Sequence, residues 1–359
     1  MKQLTLHDFD YNLPEDRIAQ HPVVPRDQSK LLVVDRKKGS LTHRVFADLP
    51  SLLLPTDILV LNNTKTIPVR THGKKTTGGD IEVLFIKPLS KGVEQETWEV
   101  LTKPGLKVEQ TVSFPNSSMQ IQCLRDKGYT REVIVSGQED SVLDELKHIG
   151  ELPTPHYIHE HLQDPSQYQT IYATQEGSSA TPTAGLHFTQ SVFDELDKKG
   201  IQRIELTLHV GLGTFLPVKV ENIKNHVMHA EWFTLSKTVA DNLNTWKGEG
   251  RRIIAVGTTS TRVLESCTVW DKEKKRYALQ PKTGETALYI HPPHQFTFVD
   301  AMITNFHLPK STLLMLVSAF CSQNQLFTSF QDSLAGKAYA LAIQQGYRFF
   351  SFGDAMLIV

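Results

Sequence analysis

The chain has 359 residues, 40% of them hydrophobic, and a formal net charge of −1. That length suggests about two domains with real cores, and that composition excludes a disordered chain. Near-zero charge excludes a global field toward nucleic acid or membrane, so a polyanion would have to meet a local basic face.

The first segment predicts a short helix near Glu15–Gln20, stopped by Pro22. "LLVVDRKKGSLTHRVF" reads as a hairpin turning at Lys38-Gly39-Ser40, and "DILVLNNTK" as a buried strand. From residue 66 to 150 short strands follow one another: "IPVRTHG", "DIEVLFIKPL", "TWEVLTKPG", "TVSFP", "MQIQCLRD" and "TREVIVS", then the helix "SVLDELKHIG". Such spacing predicts an inserted small β-barrel domain.

Beyond residue 150 strand and helix alternate. Helix "TQSVFDELDKKG" precedes strand "IQRIELTLHV", and a helix starts after Ser236. "RIIAVG" leads to "STRVLESC", and "DAMITNF" to "STLLMLVSAF". Helix "LAGKAYALAIQQG" leads to a closing strand "RFFSFGDAMLIV". "WDKEKKRYALQPK" is a charged excursion, an exposed loop or hairpin. The expected fold class is α/β, with a mixed, largely parallel sheet layer domain built from 1–65 and 151–359.

Cys123, Cys267 and Cys321 are odd in number and scattered, which fits neither a disulfide framework nor paired metal spacing. With no apolar run of spanning length and no signal peptide, no membrane association is expected and the cytoplasm is.

Four stretches set a histidine beside Gly, Pro or Thr at a strand end or loop: "TPTAGLHFT", "TLHVGLGTF", "HVMHAE" and "TNFHLPKST". "TLHVGLGTF" is not a dinucleotide fingerprint, because Gly211 and Gly213 lack the third glycine and the following helix. Ligands of parallel sheets bind at the carboxyl ends of strands, so the four stretches can form one site. Each histidine taken alone reads more readily as a hydrogen-bonded core residue, a reading that weakens for the four together. His187, His209, His226 and His229 could also bind zinc, but no His-Glu-x-x-His is present. In "AVGTTSTRVLE", Thr258, Thr259 and Ser260 enter a helix after Gly257 and can cap it. With Arg262 they form a candidate anion pocket. Arg70, Lys74, Lys75, Arg125, Lys127 and Arg131 cluster in the barrel segment. They are either solvated faces or phosphate contacts.

The blocks "DFDYNLPEDRIAQHP", "DILVLNNTKTIPVR", "PTAGLHFT", "TLHVGLGTFLPV", "MHAEWF", "AVGTTSTRVLES", "VDAMITNFHLPKSTLLMLVSAF" and "YRFFSFGDAML" stand in order through nearly the whole chain. Together they resemble the S-adenosylmethionine:tRNA ribosyltransferase-isomerase family of queuosine biosynthesis. "TALYIHPPHQF", Thr181 and "SAFCS" depart from the family's usual pattern.

The resemblance implies a transferase that uses S-adenosylmethionine as ribosyl donor and a 7-deazaguanine in tRNA as acceptor. It implies no prosthetic group and no metal, and a monomer is expected. Carried over, it makes His187 and His209 acid/base candidates. Thr183, Gly185, Gly211, Gly213, Thr214, Gly257, Thr258, Thr259, Asn305, His307, Lys310 and Asp354 become substrate-binding candidates. The turn Gly257–Arg262 is expected to hold the donor's methionine carboxylate, and the barrel's basic residues to meet tRNA. The rival reading is a zinc-dependent hydrolase built on the four histidines.

Overall fold

The computed structural model describes residues 3–91, 95–137, 141–160, 162, 164–211 and 218–359. The chain divides into two compact units. One comprises Met1–Lys65, His156–Glu176 and Thr181–Val359; the other comprises Thr66–Pro155 and Gly177–Ala180. The second unit therefore runs past the expected break at 150. Arg70 and Glu151 exchange backbone hydrogen bonds of 3.2 and 2.7 Å, which ties the next residues to a barrel strand.

The first unit is built on a nine-stranded sheet. In spatial order its strands are Lys282–Thr286, Glu231–Leu235, Gln202–Leu208, Ile58–Asn62, Ile253–Val256, Ala301–Asn305, Ala355–Ile358, Lys30–Asp35 and Ser40–Val45. The four strands from Gln202–Leu208 to Ala301–Asn305 run parallel. The sheet is mixed as expected, but only four of its eight neighbour pairs are parallel. The last strand explains part of the difference. It returns through a turn at residues 348–354 and enters antiparallel to Ala301–Asn305. The expected long strand "RFFSFGDAMLIV" is thus a turn followed by Ala355–Ile358. Phe350 takes a left-handed φ of 70°, which no strand accommodates.

Both faces of the central strands are buried. Leu59, Leu61, Ile254, Val256, Ile303, Leu357 and Leu31 form one core cluster with Val192, Phe193 and Leu196 of helix Gln190–Lys198. Their alternates Ile58, Val60, Ile253, Ala255 and Met302 are also fully buried. Helix Gly257–Cys267 packs on the sheet, and helices Thr312–Cys321 and Leu334–Gln344 pack on each other. Most helices start where a hydroxyl can accept from the first free N–H groups. Ser141, Thr189, Ser236, Ser311 and Ser333 each cap in this way.

The second unit is a closed antiparallel barrel of six strands: Arg70–Lys75, Asp80–Lys91, Glu96–Lys103, Thr111–Ser113, Gln120–Asp126 and Arg131–Ser136. Ile81, Val83, Phe85, Trp98, Val100, Val112, Ile121, Val133 and Val135 alternate inward and fill it. Gly73 is required where strands approach, since a Cβ there would lie 2.6 Å from Val112 Cγ1. The charged excursion is a hairpin, Thr268–Asp271 with Arg276–Leu279. The three cysteines are free and buried.

Candidate active site

The parallel strands end at one edge of the sheet, and the polar groups the sequence singled out gather there. Asn62 closes the strand Ile58–Asn62. Its Oδ1 accepts from the Leu208 and Thr64 N–H groups at 3.0 and 3.2 Å, joining two strand ends. His209 follows Gln202–Leu208, Gly257 follows Ile253–Val256, and Asn305 ends Ala301–Asn305. Ser29 precedes Lys30–Asp35, and Asp354 precedes Ala355–Ile358, at the same edge because of strand direction.

His187 ends the 3-10 turn Thr183–His187, which lies across this edge. Its Nδ1 is 2.8 Å from Ser29 Oγ, and its Nε2 is 3.2 Å from Asn305 Nδ2. Asn305 Oδ1 accepts from the Thr183 hydroxyl at 3.1 Å, and Nδ2 also donates to the Phe350 carbonyl at 3.1 Å. This orientation makes His187 Nε2 the acceptor, so Nδ1 carries the proton toward Ser29. The ring stacks on Phe46 with centroids 5.1 Å apart. Burial, then the Arg348 and Arg26 charges, pushes its pKa down to about 3. The adjoining cavity, edged by Arg26, Arg348 and Ser351, holds about 10 Å³, roughly one water. His187 is a neutral imidazole with both nitrogens occupied, so it suits positioning rather than the expected acid/base work.

His209 is different. Its Nδ1 is 2.8 Å from Thr64 Oγ1, and Nε2 has no partner among the described residues. The ring lies flat on Trp232, centroids 4.9 Å apart and planes 16° apart. It is half-buried, and burial lowers its pKa. Neighbouring strands are about 4.8 Å apart. His209 and Asn305 end strands three places apart, so the two histidine groups stand roughly 14 Å from each other along one edge.

Helix Gly257–Cys267 bridges them. At its start, Gly257 (φ 88°) lies under the 3-10 turn, its Cβ position 3.7 Å from Ala184 Cβ. One turn later Arg262 meets the other end of the edge. Its Nη1 pairs with Glu231 Oε2, Nε donates to the Leu288 carbonyl at 3.1 Å, and Nη2 to the Thr286 carbonyl at 3.3 Å. Glu231 Oε1 accepts from the Gly211 N–H at 3.0 Å. Arg262, expected with its turn on the donor's carboxylate, has its guanidinium engaged by Glu231 and two carbonyls. Thr258–Ser260 do not cap their helix, which has no side-chain cap bond.

Other candidates are also engaged within the protein. A Cβ at Gly185 would meet Tyr172 Oη at 1.9 Å, so packing by itself requires a glycine here. His307 Nε2 is 3.0 Å from Thr304 Oγ1, and its backbone N–H donates to Tyr339 Oη at 2.9 Å. Burial pushes its pKa down to about 3. Lys310 pairs with Asp10 at 2.8 Å. Asp354 accepts the Lys30 and Arg348 N–H groups, one on each oxygen, at 2.9 and 2.8 Å, so it fastens the turn. Gly213 and Thr214 lie outside the described residues.

His226 and His229 precede the strand Glu231–Leu235 without forming a helix, and His226 packs on Tyr289. Among the described residues no three His, Cys, Asp or Glu side chains are grouped to hold a metal. The zinc hydrolase reading therefore has no support. Of the barrel's basic residues, Arg70, Lys127 and Arg131 face Glu82, Glu132 and Asp126 within 4 Å. Lys75 donates to the Gly105 carbonyl at 2.9 Å. Lys74 and Arg125 are exposed. The expected six-residue basic cluster is mostly internal pairing.

The residues that the sequence reading missed are Ser29, Thr64, Trp232 and Glu231. Only "HAEWF" signalled one of them, through an acidic residue at the head of an apolar strand.

A mixed sheet with polar side chains along its carboxyl edge, joined to a closed barrel, defines an α/β ligand-binding protein. The family model described as queuosine biosynthesis protein matches residues 6–358, and the chain belongs to that family. A protein from Desulfitobacterium hafniense named S-adenosylmethionine:tRNA ribosyltransferase-isomerase is 48% identical, covering 99% of this chain and 100% of its own. One of the same name from Carboxydothermus hydrogenoformans is 46% identical over 99% of this chain and 100% of its own. The crystal structure of S-adenosylmethionine tRNA ribosyltransferase from Thermotoga maritima matches with TM-score 0.54 and 35% identity, over 98% of this chain and 100% of that one. No helix among the described residues is long and apolar enough to cross a membrane.

Proposed function

We propose that this chain transfers and isomerises the ribosyl group of S-adenosylmethionine onto the aminomethyl group of a 7-deazaguanine at the tRNA wobble position. Epoxyqueuosine-tRNA, adenine and methionine are the products. The observation that carries the reading is identity of 45–48% to enzymes of that name across 99% of the chain. The groups proposed for the chemistry lie along the polar edge of the sheet.

The donor's sulfonium withdraws electron density from ribose C5′ and acidifies its protons. His209 is the proposed base. It has an open Nε2, and its lowered pKa keeps it neutral near pH 7. The proton passes to Nε2 while the electron pair stays at C5′ beside sulfur. His187, Asn305, Thr183 and Ser29 hold the opposite end of the edge rigid. S-adenosylmethionine is a co-substrate, and no prosthetic group takes part in this scheme. The enzyme works on tRNA in the cytoplasm as a monomer, which sedimentation at assay concentration tests.

The deciding experiment incubates the pure chain with S-adenosylmethionine and precursor-bearing tRNA and follows free adenine by chromatography. Adenine release that depends on the aminomethyl group is expected. Tight tRNA binding with no adenine would leave only an RNA-binding protein.

A further inference from the structure

The start of helix Gly257–Cys267 leaves buried polar groups unmatched. The helix has 11 residues and begins at Gly257 with no side-chain cap bond from Val256. Its first N–H groups therefore point out of the helix with no side-chain acceptor among the described residues. Two hydroxyls in the same turn are also unmatched. Thr259 Oγ1 and Ser260 Oγ are buried and have no hydrogen-bond partner among the described residues. Ser260 is 0% exposed. Thr259 Oγ1 lies 3.5 Å from the Cβ position of Gly257, at the mouth of the helix. Helical side chains lean toward the N-terminus, so Ser260 is directed over the same turn.

An unmatched buried hydroxyl costs about 1–3 kcal/mol, and native proteins rarely keep two side by side without a use. Free N–H groups, a positive dipole end and two donor hydroxyls form a receptor for an anion. Ala184 Cβ lies 3.7 Å from the Cβ position of Gly257, and Arg262 faces Glu231 instead.

We propose that this turn binds the α-carboxylate of the donor's methionine, through backbone N–H groups and the Thr259 and Ser260 hydroxyls and without an arginine. The assignment rests on the ribosyl-transfer reading above. Its geometry is consistent with that reading. Four bonds separate the carboxyl carbon from sulfur and a fifth reaches C5′, a span of about 5–6 Å. His209 ends a strand two places from the one that feeds Gly257, roughly 10 Å away. A donor anchored at Gly257 and extended along the edge reaches toward the strand end that carries His209.

The test uses the full chain and calorimetric binding of two probes, S-adenosylmethionine and its decarboxylated analogue. The wild type is expected to bind the analogue at least tenfold more weakly. The double variant Thr259→Val, Ser260→Ala is expected to lose about tenfold in affinity for S-adenosylmethionine, a loss of about 1.4 kcal/mol. It should lose nothing for the analogue, since the group the hydroxyls serve is gone. Its melting temperature should equal or exceed that of the wild type, because unmatched hydroxyls have been removed. Equal losses for both probes, no loss for either, or a lowered melting temperature would overturn the assignment. A wild type that binds neither probe and releases no adenine would instead overturn the ribosyl-transfer reading itself.

Discussion

At His209 the imidazole rests on Trp232 and holds Thr64 by Nδ1, so its orientation is fixed while Nε2 stays open. A base held this way contributes by position as much as by basicity. His209→Ala is expected to lower kcat for adenine release by about 10²–10³-fold and to change donor KM little. The pH profile follows from the sign of its shift. Burial lowers the pKa, so the neutral, active form persists below pH 6.5 and the acid limb of kcat falls under that value. An acid limb above 6.5, or a His209→Ala variant with wild-type turnover, would move the base elsewhere.

His187 predicts an effect on stability, not on rate. Its pKa is about 3 in the fold and near 6.5 unfolded. Between those values the unfolded chain binds the extra proton, so stability is full above 6.5 and falls as pH drops toward 3. The slope is at most about 1.4 kcal/mol per pH unit. His307 adds a slope of the same sign. Urea unfolding from pH 8 to 4 should show this loss, and His187→Gln should flatten it by up to one proton. An equal slope in the variant would mean that His187 already titrates normally.

On the scale of single elements, helix Gly257–Cys267 decides how the site hangs together. Its first turn lies against the His187 segment and its Arg262 is held by Glu231, so it fixes the relation between both ends of the edge. Removing one partner of a buried pair leaves the other charge unpaired, at a cost of about 3–5 kcal/mol. Arg262→Met and Glu231→Leu should each lower the melting temperature sharply. Combining them should restore much of the loss, as a thermal double-mutant cycle would show. Additive losses would mean that the pair does not couple.

The same helix shows why part of the site was not legible in the sequence. "GTTSTR" predicts capping hydroxyls and a free arginine, because local sequence cannot reveal that Glu231 lies across from position 262. Likewise Ser29 looks like a loop serine until residue 187 is placed beside it. The six barrel strands were legible because each alternates inward and outward and ends in a turn. The closing turn at 348–354 was not, since "RFFSFG" carries strand-forming aromatics and tertiary contacts override them.

For the whole molecule, the near-zero net charge raises the question of how the chain holds a polyanion. The α/β layer and the inserted barrel follow from the change in texture at residue 66, but sheet order and strand direction do not, because they depend on which edges meet. Charge pairing is equally non-local. Six basic residues clustered by sequence in the barrel, yet three of them face carboxylates. Those three are expected to serve the fold. Arg131→Ala should reduce stability through its lost bonds to Asp126 and the Leu106 carbonyl, with little effect on tRNA KM. Lys74 and Arg125 are exposed on strands Arg70–Lys75 and Gln120–Asp126 and are the barrel's candidates for phosphate contact. Each phosphate contact contributes about 0.7–0.9 to the slope of log affinity against log salt. Replacing both with Ala should raise tRNA KM and make that slope shallower by roughly 1.5, measured from 50 to 200 mM salt. Donor KM should not move. An unchanged slope in the double variant would remove the barrel's basic residues from tRNA binding and leave the α/β unit to hold the RNA alone.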